Sequence, residues 1–534
     1  MRLTRRDLVK GGLATGSALL IPGLAGRAAA ATLPTLRVGG PTEVGPYLAL
    51  SGSLHDHSTD SDGDSSSEAI TMWVHAHRAE LGLDYAILSD HSDFFPTSPY
   101  RTEQQPTAEP TPSWIRQAEL DAAYSQGGDF TYLRGFEWTN DQENHLNVLF
   151  STNWTSRFTD GDAALTMGPF WQWFDTVPAT ADVTGTGVVY GGGDGLGQFN
   201  HPGDKGALNW DDYAPDAAAL QRMCTIEVHG DQGHGGRGSS DAGWYWFALA
   251  QGWLVGPVMN WDYHVWGASG VLSDPVPGAG YGGPAHPLPG QRSIVFATAP
   301  TARALRAAIA ARRTAASELP DAWAALLGPA GEWMGSTISA EPGSTITITV
   351  EAGSPTESLS HVQIVGDNGV SPYPDYYGDN FTDGVVQLPV GGEDNPPGAA
   401  DSQLLPGYTE QHARYLASGG HATRKGRIDA PPGGTVMASM PMTGTRQQVS
   451  IPVTIPTAPS PRPDGAHFLY AIVYAGPAAD RARIWTAPLL VTPAATAALP
   501  ESREALVLPA AGLAVAAAYA VHRRGSRPAG STHA

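Results

Sequence analysis

Cysteine is nearly missing: Cys224 is the only one in 534 residues. An intramolecular disulfide framework is therefore impossible, and an exported form would draw its stability from something other than disulfide bridges. Basic residues are scarce too, 31 Lys and Arg against 52 Asp and Glu, for a formal charge of −21. Such an acidic surface repels phosphate backbones, which excludes broad nucleic-acid binding; bound ions can still make one pocket electropositive. Charged residues are 16% and apolar ones 41%, a balance that excludes a disordered acidic tail protein and a polytopic membrane protein. No internal repeat appears. Gly (64) and Pro (44) are plentiful and predict many long loops. At roughly 100–200 residues per domain the chain has room for two to four domains.

The termini read as targeting segments. Residues 1–31 open with Arg2, Arg5, Arg6 and Lys10, continue through a weakly apolar stretch and reach Ala28-Ala29-Ala30-Ala31. This is the order of a secretory signal, and Thr4-Arg5-Arg6-Asp7-Leu8-Val9-Lys10 resembles a twin-arginine (Tat) signal. That implies export of a folded protein, with the Tat machinery as a partner. Near the other end, Ala505 to Val521 carries no charge and is followed by His522-Arg523-Arg524. Segment 504–524 is expected to be a C-terminal hydrophobic anchor whose basic flank faces the cytoplasm. The expected location is extracellular or at the cell surface.

Between the ends, residues 45–335 alternate strand-like and helical pieces. Strands are expected at Tyr47–Leu54, Tyr85–Ser89, Phe130–Gly135, Leu146–Phe150, Val188–Tyr190, Thr225–Val228 and Val255–Asn260. Helices are expected at Ser67–Leu81, Ser113–Ser125, Ala164–Phe174, Asp216–Arg222, Ala242–Trp253 and Thr301–Arg313. Alternation of this kind predicts βα units and a largely parallel sheet or barrel. Residues 336–495 change character: Thr345–Val350 alternates with period two, and Val449–Ile455 and Phe468–Tyr474 also read as strands. A β-sandwich is expected there, with 375–435 as a poorly patterned insertion.

Chemistry concentrates at the strand ends. Leu54-His55-Asp56-His57 places two imidazoles on one face of an extended segment, and Asp62 follows in the next turn. Asp90-His91, Glu137, His145, His201, Glu227-Val228-His229 and Asp262-Tyr263-His264 stand at the ends of further expected strands. Any one of these is an ordinary turn former. Together, at one face of a βα barrel, they predict a polynuclear metal site.

The order of these motifs resembles the polymerase-and-histidinol-phosphatase (PHP) superfamily, and more narrowly its secreted CehA/McbA-like branch, over about residues 50–320. The resemblance implies an α/β distorted (β/α)7 barrel, closed by a strand and helix in Gln291–Ser317, with a C-terminal all-β sandwich-like domain. It also implies a ligand set. His55 and His57 would hold one ion together with Glu137 and Asp262. Glu137 would bridge to a second ion completed by His145 and His201. Asp62, His91 and His264 would hold a third. Ser58 stands where the family usually has Thr, and Asn260-Trp261 stand where a small residue is usual.

Imidazole and carboxylate ligands without thiolates suit two or three divalent ions such as Zn, Mn or Fe. Cys224 lies among apolar residues and reads as core. Ions held close together activate water and clamp phosphoester oxygens, so the expected reaction is hydrolysis of a small-molecule ester, a phosphoester first. Asp93 and His229 are the candidate proton handlers, each equally explained as a hydrogen-bonding support; Glu227 reads as a support for the ligands. Arg134, Lys205 and Arg237 are the candidate anion-binding residues. Two competing readings are a carbamate or carboxyl ester hydrolase on the same metals, and a surface-anchored binding protein whose barrel is a vestige.

Overall fold

The computed structural model describes residues 41–95, 112–125, 128–140, 143–156, 167–178, 191–202, 210, 213–228, 242–264, 266, 290–367, 381–382, 385–386, 434–478 and 481–494. The expected strand Val188–Tyr190, the signal and the C-terminal anchor lie outside these residues. Among the described residues no helix is long and apolar enough to cross a membrane.

The first half is a mixed α/β arrangement. Strands β1 (Thr42–Val44), β2 (Tyr47–Ser53), β3 (Tyr85–Leu88), β4 (Thr131–Trp138), β5 (Leu146–Leu149), β6 (Leu196–Phe199), β7 (Met223–Glu227), β8 (Gly256–Val258) and β9 (Arg292–Ala297) are joined in the order β9-β2-β3-β4-β5-β6-β7-β8, with β1 paired to β2. Parallel pairs β2–β3, β3–β4, β6–β7 and β7–β8 alternate with antiparallel pairs β2–β9, β4–β5 and β5–β6. This is a parallel-rich sheet with two reversals at β5. Because β5 runs opposite to its neighbours, the start of β5 lies at the same sheet edge as the ends of β4 and β6. β3, with sequence Tyr-Ala-Ile-Leu, is buried throughout, as a strand covered on both faces must be.

Helices α1 (Ser67–Leu81), α2 (Pro112–Tyr124), α3 (Met167–Asp175), α4 (Ala242–Gln251) and α5 (Ala302–Ala310) lie between these strands. The boundaries of α1 follow from local chemistry. Ser66 accepts a hydrogen bond from the Ala69 amide, and Gly82 closes the helix in the left-handed region at φ 68°. The helix expected at Asp216–Arg222 is instead a short 3-10 turn, Ala219–Gln221. Asp216 Oδ1 accepts from the Ala218 and Ala219 amides, but a segment this short has too few internal bonds to repay helix nucleation.

No backbone ladder joins β8 to β9 among the described residues, yet the segments beyond β2 and β8 are tied together. The His57 amide donates to Tyr263 O at 3.1 Å and the Asp262 amide to His55 O at 2.7 Å. The Leu54 amide donates to Asn260 Oδ1 at 2.8 Å, and Ser293 Oγ on β9 donates to that same oxygen at 2.7 Å.

The sheet continues past β9. β10 (Thr314–Ser317) pairs with β9 on one side and, through its other edge, with the C-terminal strand β20 (Ala482–Thr486). β11 (Trp323–Leu327), β12 (Thr337–Ala340), β13 (Thr345–Gly353) and β14 (Leu359–Gly366) follow; β15 (Phe381–Thr382) and β16 (Val385–Val386) pair only with each other. β17 (Thr435–Pro441), β18 (Arg446–Thr454), β19 (His467–Ala475) and β21 (Leu489–Pro493) complete the set. β11, β13 and β18 form a separate sheet. Its inward Ile348, Val350, Ile451 and Val453 share one apolar core with Val473, Ile484, Leu489 and Val491 of the large sheet. The outward positions are Thr and Glu on β13 and Arg, Gln, Ser, Pro and Thr on β18, so the alternation seen in the sequence is the alternation of burial.

One packing device holds β9, β2 and β3 in register. Gly52 on β2 faces Tyr85 on β3 and Ser293 on β9. Tyr85 reaches past the glycine and donates its hydroxyl to Ser293 O at 2.8 Å. A Cβ at position 52 would collide with the Tyr85 carbonyl and ring. Gly52→Ala is expected to destabilise the protein by about 1–3 kcal/mol, the cost of overpacking a filled core, read as a lower denaturation midpoint with an unchanged slope.

Candidate metal centre

The site lies along one sheet edge. His55 and His57 follow β2, His91 follows β3 and Glu137 is near the end of β4. His145 precedes β5, His201 follows β6, and Asp262 and His264 follow β8. Asp62 comes from the turn that runs from β2 to α1. The structure brings all nine into one cluster, all buried except Asp62 at 16% side-chain exposure. Four overlapping sets have donor atoms close enough to share an ion: His57, Asp62, His91 and His264; His55, His57 and Glu137; His55, His201 and Asp262; His91, Glu137 and His145.

Glu137 is the hub. Its Oε1 lies 3.2 Å from His55 Nε2, 3.2 Å from His145 Nδ1 and 3.3 Å from His201 Nε2. Its Oε2 lies 2.8 Å from His91 Nδ1 and 3.5 Å from His57 Nε2. Asp262 Oδ1 is 2.9 Å from His57 Nε2 and 3.3 Å from His55 Nε2. At the outer side, Asp62 lies 3.3 Å from His264 Nε2 and 3.5 Å from His91 Nε2. Glu137 Oε2, Asp262 Oδ1 and Asp62 Oδ1 are buried, and none takes part in a well-formed hydrogen bond. Carboxylate oxygens aimed at imidazole nitrogens without hydrogen-bond geometry fit a ligand set. So does the spacing: donors about 2.0–2.2 Å from one ion stand about 3.0–3.5 Å from each other. These residues therefore fit divalent ions on their donor chemistry and on their geometry.

The electrostatics agree. Burial would raise Glu137, but His55, His145 and His91 hold it well below the usual carboxylate range. Asp262 is held low in the same way by His55 and His264 against its burial, and Asp62 by His264 and His91. Burial opposes a proton on His264, yet Asp62 and Asp262 raise it to about 10. His55 is raised against its burial by Asp262, Glu137 and Glu227. His57 goes the other way: burial, with His264 and His91 beside it, lowers it to about 3. Without a metal, protons on some imidazoles balance the three carboxylates.

The surroundings hold residues that sequence reasoning passed over or placed only loosely. Glu227 accepts from His55 Nδ1 at 3.1 Å, Asn260 Nδ2 at 2.7 Å and the His201 amide at 2.6 Å. Asn200 Nδ2 donates to Glu137 Oε1 at 2.7 Å and to Asn147 Oδ1 at 2.9 Å. Thr139 Oγ1 lies 2.6 Å from His91 Nδ1. Asp90 accepts from the Ser58 amide, Ser58 Oγ, Ser61 Oγ and Gln117 Nε2; burial and Asp60 push it up to about 7 despite these donors. Ser58 thus supplies both its amide and its hydroxyl to Asp90. Asn260 links the segment just after β2, through the Leu54 amide, to Glu227 on β7 and Ser293 on β9. The signal that was available for Asn147, Asn200 and Asn260 is an amide beside a ligand, buried in an otherwise apolar strand end.

Three non-glycine residues at the site have left-handed backbone: Asn144 (φ 79°), His201 (φ 28°) and Asp262 (φ 49°). Such conformations cost of order 1–3 kcal/mol each and persist where the surroundings hold a side chain in place.

The remaining sequence candidates fare differently. Arg134 is not brought to the cluster by any of its contacts. It stands three residues before Glu137 and so on the opposite face of β4. Its guanidinium stacks on Trp114 at 4.0 Å and donates to Trp114 O and Ser151 O. Asp93 is buried in the 3-10 turn Ser92–Phe94 that follows His91. His229, Lys205 and Arg237 lie outside the described residues. Cys224, on β7, is fully buried in the apolar core.

No family model matches this sequence, and no curated protein matches it. Among solved structures, it is similar to a two-domain protein containing a predicted PHP-like metal-dependent phosphoesterase from Bacteroides vulgatus ATCC 8482. That likeness has 13% identity and a TM-score of 0.34, over 85% of this chain and 99% of the other. At this level the likeness bears on nothing in the site, and the cluster stands on its own geometry.

Proposed function

We propose that this protein is a metal-dependent hydrolase acting on small phosphoesters. The observation that carries the reading is the buried cluster of six imidazoles and three carboxylates at one sheet edge. His55, His57, Glu137 and Asp262 would hold one divalent ion, His145 and His201 with Glu137 a second, and Asp62, His91 and His264 a third. Bound ions would supply Lewis acidity toward a phosphoryl oxygen and toward water. The chain's own residues do the rest. Asp62 and His264 are the most exposed of the nine, so substrate enters on their side. Glu137 and Asp262 exclude water from the closed side and fix the imidazoles around them. Asp93 and His229 are the proposed proton handlers, and Lys205 and Arg237 the proposed anion contacts. The sheet, with its β2 and β8 tails tied together, is read as a distorted seven-stranded barrel and the C-terminal strands as a β-sandwich. On the strength of the terminal sequences alone, the protein is proposed to be exported by the Tat route and held at the membrane by segment 504–524.

The test is metal content and hydrolysis measured on the same samples of residues 32–500. Two or three equivalents of Zn or Mn and turnover of aryl phosphates are expected. Turnover of aryl carbamates or carboxyl esters in preference to phosphates would move the reading to the other ester class. A protein that takes up no metal on reconstitution would end the enzyme reading.

A further inference from the structure

We propose that Glu227 and the Ser61–Asp90 pair are positioning residues that aim the Nε2 atoms of His55 and His57 at one shared cation position, and so make that position the tightest in the cluster. This rests on the metal-dependent reading above and deepens it.

His55 Nδ1 lies 3.1 Å from Glu227 Oε1, at full burial. A carboxylate can only accept, so the Nδ1 proton stays there and the neutral ring presents its lone pair at Nε2. His57 is aimed by a longer relay. Gln117 Nε2 donates to Asp90 Oδ2 at 2.9 Å. Ser61 Oγ spends its single proton on Asp90 Oδ1 at 2.7 Å. Its oxygen is then an acceptor for His57 Nδ1 at 3.3 Å, which leaves the lone pair of His57 at Nε2 as well. The two Nε2 atoms face each other 3.1 Å apart. Two imidazole lone pairs at that distance repel unless a proton or a metal ion lies between them, and a bound cation takes the place of the proton that His55 carries in the metal-free protein. Glu137 and Asp262 complete the ring around the same point.

The outer position is wired differently: His91 Nδ1 lies 2.6 Å from Thr139 Oγ1, a single hydroxyl in place of a relay. His264 is aimed by a backbone carbonyl, its Nδ1 lying 3.0 Å from Asp262 O, and Asp62 is partly open to solvent. The fold therefore builds one rigid, dry position and one that exchanges readily with solution. Both relays begin on elements outside the ligand set, Glu227 on β7 and Gln117 on α2, so the arrangement depends on the fold and not on the ligand loop alone.

The experiment is a titration of the metal-free full chain with Co2+, followed by the visible absorption of each equivalent and by competition with a chelator. In the wild type a first equivalent is expected to bind tighter than the later ones. Ser61→Ala and Glu227→Gln are each expected to weaken that first equivalent by about 10–100-fold, the usual cost of losing such a support. In Ser61→Ala the later equivalents should stay in place, and Ser61→Thr, which keeps the hydroxyl, should keep the first; Glu227→Gln also disturbs the His201 amide and so reaches the second equivalent too. Wild-type metal binding with both variants unchanged, or with all equivalents weakened alike, would overturn the positioning role. A wild type that binds no Co2+ overturns the metal reading itself, and that result is in hand before any variant is measured.

Discussion

Glu137→Gln is expected to lower kcat/KM by at least ~10³-fold, about 4 kcal/mol of transition-state stabilisation, and to remove more than one equivalent of metal. The substitution keeps volume and shape, so its effect isolates the charge. Glu137 approaches five of the six imidazoles, three through Oε1 and two through Oε2. An amide has one acceptor oxygen where the carboxylate has two, and its NH2 group points a donor at imidazoles or at a cation. Asn200 adds to the loss, because its Nδ2 donates to Oε1 and would meet a second donor if the amide settled the wrong way round. The loss should therefore exceed the 10–100-fold that removal of an outer support costs. Elemental analysis and initial rates on matched samples check it. Retention of the full metal complement with normal turnover would remove Glu137 from the centre of the site.

Removal of metal by chelation is expected to lower the melting temperature by about 5 °C or more. One ion present at a hundred times its Kd stabilises the folded state by about 2.7 kcal/mol, and 1 kcal/mol corresponds to roughly 2–4 °C in domains of 150–250 residues. The physical source is the cluster itself. Three carboxylates and Glu227 are drawn together out of water, and in the metal-free protein only protons on imidazoles balance them. His55 and His264 can carry such protons, but His57 cannot, because burial and the neighbouring His264 and His91 hold it down to about 3. A metal ion replaces this incomplete arrangement with ligand bonds. Calorimetric scans with and without chelator, at one pH and protein concentration, measure the difference. Superimposable scans would show that the cluster is balanced without metal.

Much of this molecule is written in local pattern. The Ser66 cap and Gly82 stop mark α1 to the residue, because capping is a matter of a few neighbouring groups. The period-two Thr and Ile run of β13 declares its buried face. His-x-His at the end of a strand declares two imidazoles on one side. Short pieces were harder: Asp216–Arg222 has a helical look but only a 3-10 turn of structure, and β6, β10 and β11 are small, plain segments that become strands because partners lie beside them. Residue type alone also misled at Arg134, which sits three positions from Glu137 in sequence but on the other face of β4 and is spent on Trp114 and Ser151. The amino-acid order thus settled which groups are chemically able to bind metal, and at which strand ends they stand. The tertiary structure decided how they meet: β5 runs in reverse so that His145 reaches Glu137, Asn260 ties β2 to β7 and β9, and Glu227 and Asp90 determine which nitrogen faces inward. Those partners are 8 to 206 residues apart in the chain. Only the energy of burying them together, with every polar group satisfied, selects the pairing.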